Sequence, residues 1–514
     1  MGSWRFSRLG SHGGVLNTTE HMSLSALEQH LAAAADMLRG KIDQADFKAY
    51  IFPLLFFKRI SDVYLEEYAQ SLEESGGDHD FATFAENHRF QISDGCLWSD
   101  VREVTQNVGQ ALVRAMRGIE AANPDTLYGI FGDADWTDKT KLPDPVLLDL
   151  LEHFSAKNMS NATVEPDVFG QAYEYLIKRF ADQSNKKAGE YYTPRSVVKL
   201  MVDILDPREG ETVYDPACGT GGMLVEVVEH VKRAAGRPQM LYGKLFGQEK
   251  NVTTSAIARM NLILHGVEDF RIVRADTLRD PAFFSGDRLA QFDCVIANPP
   301  FSLKKWGHES WSSDPYGRSL TGVPPVKYGD WAWVQHMVAS MARTTGRTAV
   351  VLPQGALFRG DAEGKIRSKM LESDRIEAVV GLGANLFYGT TLAACILVLR
   401  DAKRPDRSGQ VLFVDASHLL RRGRNQNTLE PEHVEAIEAA VSRFADEPDL
   451  SHVATLAEIR SNDGNLNISL YVRPSNRCEG VTLVESLAVL RSAHDETLAA
   501  ESELRAHMTG WGLL

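Results

Sequence analysis

The 514-residue sequence predicts an α/β protein: a mostly parallel sheet with helices on both faces, preceded by a helical domain and followed by a helical tail. Two observations carry this. From Thr212 onward, short apolar runs with strand character alternate with helical stretches. From about Leu24 to Met159 the chain reads as mostly helical. A length of 514 residues exceeds one ordinary core, so two or three domains are expected.

Residues 1–22 are rich in Gly, Ser and His and lack an apolar centre; they read as a disordered leader or tag-like segment rather than a signal peptide. The helical domain spans 23–160. Ser25 and Glu28 have capping-box spacing, Leu27, Leu31, Ala34 and Leu38 mark one face, and Gly40 suits a stop. Asp46 to Tyr68 continues as an apolar helix through Leu54, Leu55 and Ile60, with Pro53 inside it. A catalytic unit is expected over 161–420. Thr193 as N-cap with Pro194 at the first helical position starts a helix carrying Val197, Leu200, Met201 and Ile204. Strands are expected at Thr212–Tyr214, Lys244–Gly247, Arg271–Arg274, Phe292–Ala297, Thr348–Leu352, Ile376–Gly381 and Ala394–Leu399. The last two lie so close that one can run antiparallel. After Val411–Val414, residues 421–514 begin with a basic loop (Arg421, Arg422, Arg424) and read as helical to the end. Leu483, Leu487, Leu490, Leu504 and Met508 form a broken heptad-like seam suited to a partner helix.

Composition narrows the function. No apolar run approaches the roughly 20 residues that span a bilayer. The five cysteines are scattered, without CxxC pairs or His partners, so neither a metal site nor disulfides are expected and a cytoplasmic location is the default. A net charge of −14 argues against the whole surface serving as a nucleic-acid platform. If the chain handles DNA, it needs local basic loops or a partner that supplies affinity.

Two turns carry the chemistry. Asp215-Pro216-Ala217-Cys218-Gly219-Thr220-Gly221-Gly222 closes one strand and opens a helix; its glycines allow close backbone approach to a ligand. Asp215 suits a cationic amino-acid group and would repel a pyrophosphate. Glu249 ends the next strand, where an acid accepts ribose hydroxyls, and Asp276 follows the third, placed to accept from an adenine amino group. Each acid alone is more often a strand-end cap. Three in succession beside a glycine-rich turn form a site of the kind that binds S-adenosylmethionine, on a Rossmann-like sheet.

The second turn is Asn298-Pro299-Pro300-Phe301. An exocyclic amine is a poor nucleophile because its lone pair is delocalised into the ring. The Asn298 side-chain oxygen and the Pro299 carbonyl can each accept one amino hydrogen, favouring a pyramidal nitrogen aimed at a methyl donor. Phe301 offers a face for stacking. A base in duplex DNA must be flipped out to reach such a pocket. Phe387 and Tyr388 could form the opposite wall, although core packing explains either ring equally well. Lys304, Lys305 and the Arg421–Arg424 loop could touch phosphate, but charge runs are usually solvated faces.

These motifs, in this order, resemble the modification (M) subunit of type I restriction–modification systems, which are N6-adenine-specific DNA methyltransferases. The resemblance covers about residues 24–510. Asp36 to Gly40 and Leu54 to Lys58 are similar to the family's N-terminal domain. Gly189 to Pro194 resembles its cofactor-contacting motif, which brings Glu190, Tyr191, Tyr192, Thr193, Pro194 and the adjoining Arg195 into the cofactor site by analogy; Glu190 departs from the Gln of many relatives. Leu352 to Phe358 and Gly423 to Asn427 are further matches. The resemblance implies S-adenosylmethionine as methyl donor and double-stranded DNA as substrate. It implies a complex of two copies of this chain with a specificity subunit, joined by a restriction subunit. The partner would then read the sequence, which resolves the charge problem. A protein-glutamine methyltransferase, with Tyr at 301 and a shorter chain, and a cytosine-amine enzyme, with Ser at 298, fit less well. A non-catalytic clamp retaining the fold, or the methyltransferase of another phage-defence system, are the alternatives.

Overall fold

The computed structural model describes residues 21–184, 193–387, 390–424, 426–473 and 483–511. The first layer is helical. α1 (Leu24–Met37) and α2 (Lys48–Glu74) pack with α3 (Val108–Ala122), α4 (Asp144–Ser155) and α5 (Pro166–Ser184). Leu27, Leu31, Leu54, Leu55, Leu150 and Leu176 meet in one core, and this burial rather than intrinsic propensity supplies most of the helices' stability. The α1 cap is Ser23, which accepts from the Ala26 amide at 3.3 Å, two residues before the expected Ser25. Gly40 takes the left-handed conformation (φ 78°) just past the helix end, as its position suggests. Pro53 sits inside α2 without ending it.

The second layer is a nine-stranded sheet. Its strands are β1 (Val213–Asp215), β2 (Leu245–Glu249), β3 (Arg271–Arg274), β4 (Cys294–Ala297), β5 (Arg347–Pro353), β6 (Ile376–Leu382), β7 (Ala394–Arg400), β8 (Gln410–Ala416) and β9 (Ser451–Thr455). Their spatial order is β9-β8-β6-β7-β5-β4-β1-β2-β3. The neighbours from β5 to β3 are parallel. β7 runs antiparallel to both β5 and β6. β5, β6 and almost all of β7 are buried, reading as continuous apolar runs because helices cover both faces.

One stretch departs from expectation. The segment after 421 is not helical throughout: β9 pairs antiparallel with β8, and α11 (Pro431–Arg443) buries Val434, Ile437 and Ala440 in the sheet's core. The free-standing part is α12 (Leu483–Gly510), whose described side chains are all exposed except a half-buried Met508.

α6 (Arg195–Leu205), α7 (Gly222–Arg233) and α8 (Val252–Leu264) cover the β1–β2 half of the sheet. α8 is buried at Thr254–Ala258 and again at Met260–Leu264, because the sheet lies on one side and the helical layer on the other. Ile257, Met260, Ile263 and Leu264 belong to the helical core, while Ala258 and Leu262 belong to the sheet's.

Candidate active site

The chain lays β1, β2 and β3 in one direction, then returns to place β4 on the other side of β1. The loops leaving β1 and β4 therefore diverge, and such a switch point opens a crevice at the carboxyl ends of the strands. A cavity of about 300 Å³ lies there. Asp215, Ala217, Gly219, Thr220 and Gly222 line it from the β1 loop, Glu249 from β2, Asp276 from beyond β3, and Asn298 from the end of β4. Thr193 and Arg195 line it from the start of α6. Residues far apart in sequence thus share one wall.

The acids are held by backbone amides. Glu249 accepts from Gly219 N–H at 3.1 Å and from Asn251 N–H at 2.8 Å, which ties the end of β2 to the glycine turn. Asp215 accepts from the Ala217 amide at 3.0 Å and is 2 % exposed. Burial, reinforced by the Glu249 charge, pushes its carboxyl up to about 8. Asp276 forms an ion pair with Lys250 at 2.8 Å, at the exposed rim. The glycine turn is fixed from below, since Asn261 of α8 donates to the Thr220 carbonyl at 3.0 Å. Gly221 has φ 79°, and a Cβ there would stand 3.3 Å from the Ala258 carbonyl oxygen, so this position requires glycine. It serves the turn from behind and does not line the cavity.

Asn298 shows the most informative local geometry. Its Nδ2 donates to Thr193 Oγ1 at 2.8 Å, while its Oδ1 is buried without a partner. A buried amide oxygen left unpaired costs free energy unless a donor arrives. The Thr193 hydroxyl is engaged in this contact and caps no helix; α6 begins at Arg195 with Pro194 as its N-cap, one residue later than expected. Pro299 is buried outside the lining, and its neighbour Pro300 faces the cavity. Phe301 is half-buried over the sheet's core. Phe387 is 1 % exposed and meets the Phe301 ring edge-on, with centroids 5.8 Å apart. It therefore supports Phe301 from behind and presents no stacking face of its own: the core-packing account holds for this ring.

The helical layer supplies residues that sequence reasoning did not single out. Lys48 and Phe52 of α2, and Glu174, Ile177, Phe180 and Ala181 of α5, complete the cavity wall. Glu174 lies 2.8 Å from the Arg195 guanidinium, and burial pushes its carboxyl up to about 7 despite that cation. The one available signal was its spacing with Ile177 and Ala181, which sets an acid on an apolar stripe. Leu303 and Trp333, downstream of the Asn298–Phe301 turn, close another side of the cavity. Glu190, Tyr191, Tyr192, Tyr388 and Asn425 lie outside the described residues, as does the leader up to residue 20. Lys304, Lys305, Arg422 and Arg424 are exposed, and Arg421 pairs with Glu430 at 2.9 Å. Among the described residues no cluster suits a metal ion, and no helix is long and apolar enough to cross a membrane.

This arrangement has known counterparts. Residues 164–479 match the family model described as N-6 DNA Methylase, and residues 27–154 match the HsdM N-terminal domain. The chain is 31 % identical to the type I restriction enzyme MjaVII methylase subunit of Methanocaldococcus jannaschii, over 94 % of this chain and 84 % of that protein. It is 32 % identical to the HindI methylase subunit of Haemophilus influenzae, over 76 % of this chain and 84 % of that one. The crystal structure of a type I restriction–modification methyltransferase subunit from Streptococcus thermophilus superposes with a TM-score of 0.76 at 32 % identity, covering 88 % of this chain and all of that one. Fold, motif order and these relatives agree: the chain belongs to the N-6 DNA methylases, as a methylase subunit of the type I restriction–modification family, and its reaction is adenine-specific DNA methylation.

Proposed function

We propose that the crevice binds S-adenosylmethionine against Asp215, Glu249 and Asp276, and that Asn298 holds the exocyclic N6 amine of a flipped adenine at its edge. The methyl donor implied by the family contributes the transferable methyl group. The residues present fit it. Gly219 and Gly222 leave open space where a Cβ would stand. Asp215 offers a charge to a cationic amino-acid group, and Glu249 turns its carboxylate toward a diol while two amides hold it. Thr254 Oγ1, buried in the same wall, has no partner.

The observation that carries this reading is the unpartnered Asn298 Oδ1 in the cavity wall. Held through Nδ2 by Thr193, the amide cannot rotate freely, so its oxygen is committed to accepting. An amine hydrogen donated there, with a second to the Pro299 carbonyl, favours a pyramidal nitrogen with its lone pair free for transfer. Phe301 supplies the stacking face. No tuned general base is required, because the proton can leave after the methyl group arrives.

We further infer that the chain acts on double-stranded DNA within an assembly containing a second copy of itself, a specificity subunit that reads the sequence and a restriction subunit that cleaves. A net charge of −14 supports delegated DNA affinity. α12 supports partner docking: among its described residues this 28-residue helix exposes Leu487, Leu490 and Leu504, without the packing that normally stabilises a helix. The test is Asn298→Ala in the assembled complex. Methylation should be abolished while S-adenosylmethionine still binds; retained methylation would remove the mechanism.

A further inference from the structure

The segment that leaves the catalytic turn adopts an unfavourable backbone, and one buried carboxylate holds it there. Ser302, directly after Phe301, has φ 50°, a left-handed conformation that residues with a Cβ disfavour. Such a conformation persists only where its surroundings over-determine it. Here the surroundings are Asp330, the first residue of α9 (Asp330–Ala339): its Oδ1 accepts from the Ser302 amide at 2.7 Å. The side chain is 1 % exposed. Its second oxygen is bound by Arg359. That guanidinium is held by Glu363 of α10 (Asp361–Glu372) at 2.6 and 3.1 Å and lies 4.1 Å from the Tyr328 ring centroid. The preceding residue, Gly329, donates to the Leu303 carbonyl at 3.1 Å, so α9 grips the loop at two successive positions. Leu303 and Trp333, the latter one turn into α9, both line the cavity.

We propose that Asp330 is the positioning residue of the methyl-transfer turn: by fixing the Ser302 amide in its left-handed state, it aims Phe301 and the Asn298 acceptor at the target amine. Asp330 does not line the cavity. It acts through the backbone, and Arg359 with Glu363 keeps it oriented. A charged acceptor is needed because a neutral one holds a disfavoured conformation less firmly. The proposal rests on the reading of Asn298–Phe301 as the turn that holds the target amine.

The experiment measures single-turnover methylation and S-adenosylmethionine affinity in the chain co-purified with its specificity subunit, on duplex DNA bearing the complex's site. Asp330→Asn should slow methyl transfer by about 10- to 100-fold, the usual worth of one charge-assisted hydrogen bond. Affinity for the methyl donor should stay within about twofold, since no cofactor contact is altered. Ser302→Gly in the Asp330→Asn background should restore the rate severalfold, because glycine adopts positive φ without the penalty. A purely structural role for Asp330 predicts no such rescue. An unchanged rate in Asp330→Asn, or a loss that Ser302→Gly leaves untouched, overturns the proposal. If Asp330→Asn does not fold, Arg359→Lys loosens the same carboxylate and carries the same two expectations; an unchanged rate there is equally fatal. Asn298→Ala in the same assay separates the failures. Activity retained in that variant removes the underlying reading, whereas activity lost there but full in Asp330→Asn removes only this one.

Discussion

Asp215 should make ligand binding in the crevice sensitive to pH. Its carboxyl sits at about 8 in the folded protein against 3.8 when solvated, so at neutral pH it is mostly protonated. A cationic ligand beside it favours the ionised form, and binding below pH 8 must then release a proton. The ionised fraction rises from about 1 % at pH 6 to about half at pH 8, so affinity should improve about 50-fold across that interval and then level off. Glu174 in the same wall, raised to about 7, can add to the slope, so Asp215→Asn is the discriminating variant. Isothermal titration with S-adenosylmethionine at pH 6, 7, 8 and 9 reads the effect. Wild type should show the slope; Asp215→Asn should bind weakly and lose most of it. Stability runs the other way. A raised carboxyl pKa costs nothing below 3.8, costs more as pH rises toward 8, and is constant above it. At pH 7 the burden is about 4 kcal/mol, so Asp215→Asn should melt higher at neutral pH and gain little at pH 4. A flat affinity profile in the wild type, or equal slopes in both proteins, would refute this account of the carboxylate.

Other expectations concern separate parts of the machinery. Asn298→Ala should remove methylation while titration still detects cofactor binding. Glu249→Ala should weaken cofactor affinity about 10- to 100-fold, because it deletes the acceptors proposed for a diol and frees the Gly219 amide as well; an unchanged dissociation constant would displace Glu249 from the ribose role. Truncation after about residue 481 should impair assembly with the specificity subunit, read by size-exclusion chromatography, and normal complex formation would count against the docking role of α12.

Much of the candidate site was legible because its polar residues follow apolar runs. Asp215, Glu249, Asp276 and Asn298 all emerge at the carboxyl ends of strands, where a parallel sheet collects its chemistry. Strand positions agree within about three residues, since burial on both faces leaves an unbroken apolar signature. What was hidden depends on contacts between distant segments. Thr193 resembled a helix cap, but its hydroxyl partners a side chain 105 residues away. β9 (Ser-His-Val-Ala-Thr) is an edge strand with too few apolar residues to announce itself, and only its pairing with β8 reveals it. Glu174 and Phe52 joined the cavity because the helical layer folds over the crevice, which no local pattern encodes. Phe387 carried two readings, and burial in the core decided between them.

The helix between the two layers has a consequence for how this protein tolerates change. α8 is packed nearly all round, with only Val252, Thr253 and Arg259 half-buried, and it carries Asn261 beneath the glycine turn as well as the apolar seam to the helical domain. It therefore lacks a wet side on which sequence can drift at no cost. A mutation that enlarges or shrinks almost any of its side chains must be felt at the floor of the crevice and at the domain junction together. This stretch should be among the least variable of the molecule, even though most of its residues perform no chemistry.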